Sequence, residues 1–429
     1  MAQEGSVKRG NTLDSPVDLI SNLPRGVIDV IMDNLPLCDV ARMSVVSHFW
    51  LDIWRSIQKL QFDAQFFKRV LKDKILDTNE FSRIVSKILF HYSGHLRKFH
   101  LYIPSLKSCP DVDQWICYLS RTSGGVSDVY IQSQYMPSIK LSSHIFSCGN
   151  LETLRLQGFR IIPPHNFEGF RNLTRLELYK IVVNQKSFNH LVTNCPLLQR
   201  LRLVECFGLD RIVIDFRKLS HLSVDTMFVS LDVKNAVNLV AAYFGLDYSH
   251  EVSHQTCFRV FIKALASSRN LQVLIFKGQF CKAFFMEPLL PLVFQKLRKL
   301  ALLSISLDDM DEFYTIINVI RSFPTIERLY IVVAKSKHLV SGTVDYNPNV
   351  ALHRLCYAYV SICSGSILEL KLIEFLLACS PNLNRLSITT TGDRKTVFQQ
   401  KMMNQLVRFR RASQKVEVIC PEPPSPDIL

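Results

Sequence analysis

Three residues near the middle of the chain have the spacing of a zinc-dependent hydrolase site. His250, Glu251 and His254 form the pattern HExxH, which on a helix would place two metal ligands and a general base on one face. The segment follows Gly245 in an irregular stretch and lacks a glycine-containing extension with a third ligand. Such a short pattern often arises by chance, so the sequence favours a solvated loop. We expect no metal and no cofactor, with a zinc hydrolase as the alternative.

No other segment supplies a candidate catalytic site. A nucleophile elbow, a phosphate-binding loop and a dinucleotide fingerprint are all absent from the sequence. The 12 cysteines include no CxxC pair, and many fall within repeated apolar segments. Free cysteines in such segments are usually small core residues rather than ligands or nucleophiles.

Basic residues recur at one position of a repeated LxxLxL pattern. The position just before the middle leucine is Arg or Lys in seven of twelve repeats. Because side chains alternate along a strand, this position points away from the core. Arginine pairs bidentately with carboxylate or phosphate, so the column is a candidate surface for an acidic or phosphorylated target segment. The candidate target-binding residues are Arg175, Arg200, Lys299, Arg328, Arg354 and Arg385 of this column, together with Arg155 and Arg202 in a second file beside it.

The basic column also admits two alternative interpretations. Strands need solvated residues at this position, and arginine serves that purpose without any ligand. Nucleic acid could also bind, but the sequence has no zinc-finger, helix-turn-helix or RNP pattern, and repeat-spaced arginines differ from clustered basic patches. A register slip of one residue would move the whole column to the core face.

The LxxLxL pattern itself predicts the architecture. It is clearest at Leu151, Leu173 and Leu198, and with other apolar residues allowed it gives twelve candidate units between Leu96 and Ile388. A single unit of this kind cannot bury its own apolar face, so units stack. The sequence therefore predicts an α/β leucine-rich-repeat solenoid with a curved parallel sheet.

Residues 19–57 have the pattern of three short helices. Pro24 suits a first helical turn, Leu35 and Pro36 end the first apolar period, and Ser47 is a suitable N-cap for a third helix rich in aromatic residues. A unit of about 40 residues is near the lower limit for a self-supporting core. We therefore expect part of its apolar surface to meet a partner.

This segment resembles the F-box, the module by which substrate receptors bind the Skp adaptor of cullin ubiquitin ligases. Met43, His48, Phe49 and Leu51 depart from the family pattern, which bears on adaptor affinity. The alternative is that these helices only cap the domain that follows, but such a cap would not need the complete spacing of the F-box motif. The resemblance implies that the adaptor-binding residues are Leu23, Pro24, Val27, Ile28, Leu35, Pro36, Val45, Val46 and Trp50.

Composition limits the compartment and the partners. The chain of 429 residues is 48% hydrophobic with a formal charge of +14, which makes acidic partners plausible. Its apolar stretches are short and broken, so no membrane span is expected. A polar N-terminal segment and scattered cysteines predict a reduced protein of the cytoplasm, the nucleus or both.

The C-terminal part resembles the FBD region that follows the repeats in many plant F-box proteins. The segments that carry this resemblance include Leu-Leu-Ala-Cys-Ser-Pro-Asn-Leu-Asn-Arg-Leu-Ser-Ile and Phe-Arg-Arg-Ala-Ser-Gln-Lys-Val-Glu-Val. The whole chain thus resembles a plant F-box/FBD/leucine-rich-repeat protein. We expect a disordered lead-in at 1–18, an F-box at 19–58, a helical linker at 59–95, the solenoid at 96–349, an FBD-like region ending it at 350–420, and a disordered tail at 421–429.

The resemblance implies a substrate-recognition subunit of a Skp-cullin-F-box ubiquitin ligase, with no covalent chemistry of its own. Its expected partners are a Skp-family adaptor, cullin through that adaptor, and a target protein. The alternative is a non-ligase binding or scaffold protein with a vestigial F-box, which failure to recruit cullin would distinguish.

Overall fold

The fold is described from a computed structural model of the full chain. The structure describes residues 19–71, 77–104, 109, 111–122, 124–134, 139–215, 217–228, 230–234, 237–246, 265, 268–278, 294–335, 351–363, 365–390 and 405–419. Over these residues, helices and short strands alternate along the chain. Within these ranges, no helix combines the length and the apolar character that crossing a bilayer requires.

The helices lie at the N-terminus and between strands. Several of them begin at a polar N-cap whose side chain accepts a hydrogen bond from a backbone N–H of the first turn. These N-caps are Ser47, Asp77, Asn184 and Asp309. The α-helices are α1 Arg25–Asn34, α2 Leu37–Met43, α3 His48–Ser56, α4 Ala64–Leu71, α5 Thr78–His91, α6 Val112–Arg121, α7 Gln185–Thr193, α8 Met310–Arg321 and α9 Ile367–Cys379.

The strands form one long parallel sheet and two small ones. The first nine are β1 Lys59–Phe62, β2 Lys98–Ile103, β3 Asp128–Ser133, β4 Ile139–Lys140, β5 Thr153–Gln157, β6 Phe159–Arg160, β7 Arg175–Tyr179, β8 Arg200–Val204 and β9 Arg211–Asp215. The other nine are β10 His221–Asp225, β11 Ser230–Lys234, β12 Ala241–Leu246, β13 Val273–Gly278, β14 Lys299–Ile305, β15 Arg328–Val333, β16 Tyr357–Ile362, β17 Arg385–Thr390 and β18 Glu417–Ile419.

Fourteen of the described strands join side by side in the order β1-β2-β3-β5-β7-β8-β10-β12-β13-β14-β15-β16-β17-β18. Strands β4 and β6, and strands β9 and β11, pair separately. The prediction of an α/β protein with a three-helix module followed by a parallel repeat sheet is confirmed.

The leucine pattern sets the register of the long sheet. Leu154, Leu176 and Leu201 are cross-strand neighbours, and the second leucine of each strand forms a parallel column two residues on. Both columns are almost fully buried. The alternate side chains are half-buried or exposed on most strands, and we call the surface they form the open face.

The sequence-based description was incomplete at both ends of the sheet. Strand β1 lies inside the segment expected to be a helical linker, and its Leu60 and Phe62 pair with the first repeat strand. At the other end, β18 pairs with β17 through Val418. A strand of three or four residues is too short to display the repeat period, so neither was visible as a repeat.

The LxxLxL pattern predicts the eleventh of the twelve repeats at Leu352, Leu355 and Tyr357, and this register is wrong. Its strand begins at Tyr357, which pairs with Arg328, so Arg354 lies in the preceding turn rather than in the basic column. The misassignment arose because Leu352 and Leu355 mimic the pattern, whereas the core residue of the strand is Ala358. An alanine is too small to mark a core position clearly in a sequence.

The N-terminal helices are attached directly to the sheet. Only Ile57 and Gln58 separate α3 from β1. The Tyr92 hydroxyl donates a hydrogen bond to the Ile57 carbonyl, and Arg69 of α4 pairs with Asp39 of α2 at 2.8 Å. The first three helices are therefore held against the start of the sheet by contacts distant in sequence.

A buried carboxylate holds the loop before α9. Glu369 is fully buried and accepts hydrogen bonds from the backbone N–H groups of Cys363, Gly365 and Ser366. The Ser366 hydroxyl accepts in turn from the Glu369 N–H, which completes a capping box.

We expect Glu369→Ala to destabilise the protein by about 2 to 4 kcal/mol, because one buried and two part-buried N–H donors lose their acceptor. The matched control is Glu374→Ala on the same helix, which removes only a surface pair with Lys371 and should cost less than about 0.5 kcal/mol. Urea denaturation followed by circular dichroism measures both. Equal midpoints for the two variants would contradict the assigned role.

Candidate functional site

The first three helices expose an unusual amount of apolar surface. Val45 and Val46 are 86% and 74% exposed, and Val27 and Leu23 are 45% and 36% exposed. Pro24 is also exposed. Val45 and Val46 lie in the turn between α2 and α3, where both remain in water. Other apolar residues of the same three helices are buried. Several exposed apolar side chains within one short module are candidates for a protein interaction site.

The structure divides the predicted adaptor-binding residues into three groups, of which the exposed one has just been described. Ile28 and Trp50 are 2% and 8% exposed, so they pack the three helices together and face no partner. Leu35 and Pro36 are half-buried and line a cavity of about 300 Å³ beside Lys59 of the sheet. The sequence left open whether residues of this set, Trp50 especially, bind the adaptor or hold the three helices together. The burial of Ile28 on α1 and of Trp50 on α3 favours the second role.

Other exposed apolar residues of this region were not in the sequence-based set. They are Leu19, Ile20, Val30 and Phe49. Val30 follows Val27 by one helical turn, and this spacing could have shown that α1 has a second apolar stripe on its outer side.

The second candidate surface is the open face of the long sheet. The residues that start successive strands are aligned by the ladder, so the basic column exists as a column. Arg200, Arg202, Arg328 and Arg385 are exposed on it, and Lys299 is half-buried. Arg354 is the one candidate of the eight that lies off the strands.

Glu177 neutralises the N-terminal part of this column. Its carboxylate lies 3.5 Å from the Arg155 guanidinium and 3.9 Å from that of Arg175. The Tyr179 hydroxyl donates to the same carboxylate, and Arg202 lies over the Tyr179 ring at 5.4 Å. Burial, followed by the charge of Glu177, raises the pKa of Tyr179 to about 12. Arg155 and Arg175 thus already have an acidic partner.

The C-terminal part of the column lacks such a partner. Among the described residues, Arg200, Lys299, Arg328 and Arg385 make no salt bridge. Lys299 instead lies 4.5 Å from the centre of the Tyr330 ring. Burial, and then the charge of the neighbouring Arg328, lower the pKa of Lys299.

Less of the open face is exposed to solvent at its C-terminal end. Tyr359, Ser361, Ser387 and Thr389 occupy open-face positions on β16 and β17, yet all four are buried. The hydroxyls of Tyr359 and Thr389 are 2.7 Å apart and satisfy each other. The accessible part of the face therefore lies mainly on the strands before β16.

The residues of the HExxH pattern, His250, Glu251 and His254, lie outside the described residues. Within the part of the chain that the structure describes, no group of three or more His, Cys, Asp or Glu side chains is placed to hold a metal ion.

Comparison with protein families identifies both regions. A model of the F-box domain matches residues 20–62. A model described as the leucine-rich repeats of the FBD-associated F-box protein At5g56370 matches residues 112–331, slightly more than half of the chain. The domain boundaries inferred from the sequence remain predictions.

Three curated relatives come from Arabidopsis thaliana. F-box/FBD/LRR-repeat protein At1g13570 is 26% identical over 418 residues, covering 95% of this chain and 99% of its own length. F-box/LRR-repeat protein 13 is 28% identical over 200 residues, and F-box/FBD/LRR-repeat protein At2g04230 is 30% identical over 189 residues. Each of these two matches covers 42% of the relative's length.

The adjacent aromatic residues of α3 provide a test of which side chains hold the helices together. Trp50→Ala should cost about 3 to 5 kcal/mol because it empties the core between the helices. Phe49→Ala, at a 37% exposed position, should cost less than about 1 kcal/mol. Hydrogen exchange of the α1–α3 amides in the full chain measures both effects. Similar protection in both variants would contradict the division of this surface.

Proposed function

The chain belongs to the family of plant F-box/FBD/leucine-rich-repeat proteins, and from this premise we propose that it is the substrate-recognition subunit of a Skp-cullin-F-box ubiquitin ligase. F-box domains generally bind Skp adaptors, and leucine-rich repeats bind targets. In this proposal, the first three helices bind the adaptor, and cullin joins through it. The open face of the sheet binds the target protein.

The observation that carries the proposal is the exposure of Val45 and Val46 together with Leu23 and Val27. These four side chains leave apolar surface in water, while Ile28, Trp50 and their neighbours already form the internal core of the same helices. Because the core does not need the exposed residues, their apolar character is best explained by a protein partner.

In this role the protein does no covalent chemistry. It holds a target near the ubiquitin-charged enzyme that the complex supplies, so its contribution is a raised effective concentration. The direct join between α3 and β1 suits this task, because the two binding surfaces then keep a fixed separation and orientation. We propose that it acts in the cytoplasm, the nucleus or both, on a target that is acidic or phosphorylated.

The eight basic residues contribute unequally in this proposal. Arg200, Arg202, Lys299, Arg328 and Arg385 are available to an acidic target, whereas Arg155 and Arg175 are partly neutralised by Glu177. Arg354 is not included, because it lies in a turn outside the column.

The test is co-expression of the full chain with a plant Skp adaptor, followed by size-exclusion chromatography. We expect Val46→Glu to weaken adaptor binding by about a hundredfold, because the interface would bury an unpaired carboxylate. The control is Val407→Glu, since both valines are 74% exposed and the change of charge is the same.

Leu23→Ala combined with Pro24→Ala is a second test that introduces no charge. Adaptor binding should be lost while the sheet remains folded, as judged by circular dichroism. Co-elution of the wild type and all variants to the same extent would refute the proposed docking surface. A chain that binds the adaptor but recruits no cullin would instead be a scaffold protein with a vestigial F-box.

A further inference from the structure

The open face between β8 and β15 has a pattern that its charge alone does not show. The first residues of successive strands form one column on the open face. From β8 to β15, the cross-strand neighbours in this column are an arginine, a histidine, two apolar residues, a lysine and an arginine. They are Arg200, His221, Ala241, Val273, Lys299 and Arg328. A stretch of apolar surface is therefore bounded by basic side chains on both sides.

The apolar stretch forms a hollow at Ala241 and Val273, which are half-buried and shorter than the basic side chains of the same column. Ser223, Tyr243 and the buried Ile275 occupy the next open-face positions on β10, β12 and β13. Together with neighbouring residues, these five line a hollow of about 200 Å³. Sites for drug-sized ligands have volumes of about 300 Å³ or more. The hollow is thus suited to an apolar side chain of a peptide.

The acids near this hollow already have partners. Glu177 pairs with Arg155 and Arg175, and Asp225 lies 3.5 Å from the Lys277 ammonium. Within the described residues, Arg200 and Arg328 at the two sides of the hollow make no salt bridge. A carboxylate of a bound peptide could therefore pair with these guanidinium groups without displacing another acidic side chain.

Two titratable side chains, His221 and Lys299, stand beside these arginines on neighbouring strands. Burial, and then the charges of Arg200 and Arg175, lower the pKa of His221. Burial and the charge of Arg328 lower the pKa of Lys299. An anion on each side of the hollow would reduce the repulsion among these groups.

The strand spacing fixes the distance between the two basic sides. Four strand steps separate Arg200 on β8 from Lys299 on β14, which at about 4.8 Å a step gives about 19 Å. An extended peptide advances about 3.3 Å per residue, so two acidic residues about five or six positions apart would reach both sides.

We propose that this part of the open face binds an extended acidic segment of the target, in which an apolar side chain lies between two carboxylates about five residues apart. This inference rests on the proposed function, since it describes the target that the repeat sheet would present. The segment runs across the strands, one carboxylate meets Arg200 and Arg202, and the other meets Lys299 and Arg328. The apolar side chain enters the hollow above Ala241 and Val273.

The apolar interval is the reason to favour a peptide over a nucleic acid. A nucleic-acid backbone carries regularly spaced charges and favours a continuous run of cations. Here the cations are interrupted by Ala241 and Val273, whose side chains offer a phosphate no hydrogen bond, and this apolar surface leaves water when an apolar group covers it.

The experiment measures fluorescence polarisation of labelled peptides with the full chain, both alone and mixed with the adaptor, at physiological ionic strength. The peptides carry a central leucine between two glutamates that are adjacent, about five residues apart or about ten residues apart. We expect the middle spacing to bind at least about tenfold more tightly than the others. Equal affinity at all three spacings would overturn the proposal in favour of unspecific charge attraction.

Charge reversal tests the basic sides of the hollow. Arg200→Glu and Arg328→Glu should each weaken the best peptide by about tenfold or more. Arg211→Glu is the matched control, because Arg211 is exposed on the small sheet of β9 and β11 and the change of net charge is identical. Replacing one glutamate of the peptide with lysine should restore binding to the Arg200→Glu variant. Only the glutamate that faces position 200 should have this effect, and the same change at the other glutamate should not. An equal loss with Arg211→Glu would overturn the proposal.

Filling the hollow tests its apolar part. Ala241→Phe should weaken the leucine peptide to the affinity of a peptide with serine in place of the leucine, and should leave the serine peptide unchanged. An undiminished preference for leucine in this variant contradicts the assigned hollow. A phosphoserine peptide of the same spacing that binds more tightly than the glutamate peptide contradicts the assignment of carboxylates.

The adaptor serves to separate this inference from the proposed function. Every variant of the open face should still co-elute with the adaptor, because none of the changed residues lies on the first three helices. Adaptor binding without any peptide preference overturns this inference alone. Peptide preference without adaptor binding supports the peptide site and counts against the proposed ligase role.

Discussion

The whole structure depends on the inability of one repeat to bury its own apolar face. Each strand of the long sheet contributes two core side chains, and these are removed from water only when the next strand lies alongside. The ladder therefore continues without a change of direction from β1 to β18 through fourteen parallel strands. A break anywhere in this order would expose a leucine column and leave backbone groups without hydrogen-bond partners.

The same constraint creates the functional surface. Once the core columns are aligned, the alternate side chains are aligned as well, and residues far apart in sequence become neighbours on the open face. Arg200 and Lys299 are brought into one row in this way, although about a hundred residues separate them. Because core packing fixes the row, open-face residues can vary without cost to the fold, which suits a protein that must recognise a particular target.

The attachment of the first three helices to the sheet bears on the second proposed function, adaptor binding. Their internal core uses Ile28, Trp50 and Ile53, and the last helix leads almost directly into β1. The hydrogen bond from Tyr92 to Ile57 and the pair between Arg69 and Asp39 hold this junction. A rigid junction matters to the proposed role, because a target held at a variable distance would gain less effective concentration.

The sequence by itself determined the repeat architecture, the α/β class, the three N-terminal helices and most of the basic column, since periodic leucines and helix signals are local features. Tertiary structure decided the rest. Ile28 and Trp50 could not be told from Val45 and Val46 by type, because only packing shows which apolar side chain faces inward. Tyr357, not Arg354, occupies the column on β16, because the register of that strand is set by its pairing with β15. The pairing of Glu177 with Arg155 and Arg175, and the hollow beside Arg200, likewise depend on cross-strand contacts, which no single stretch of sequence contains.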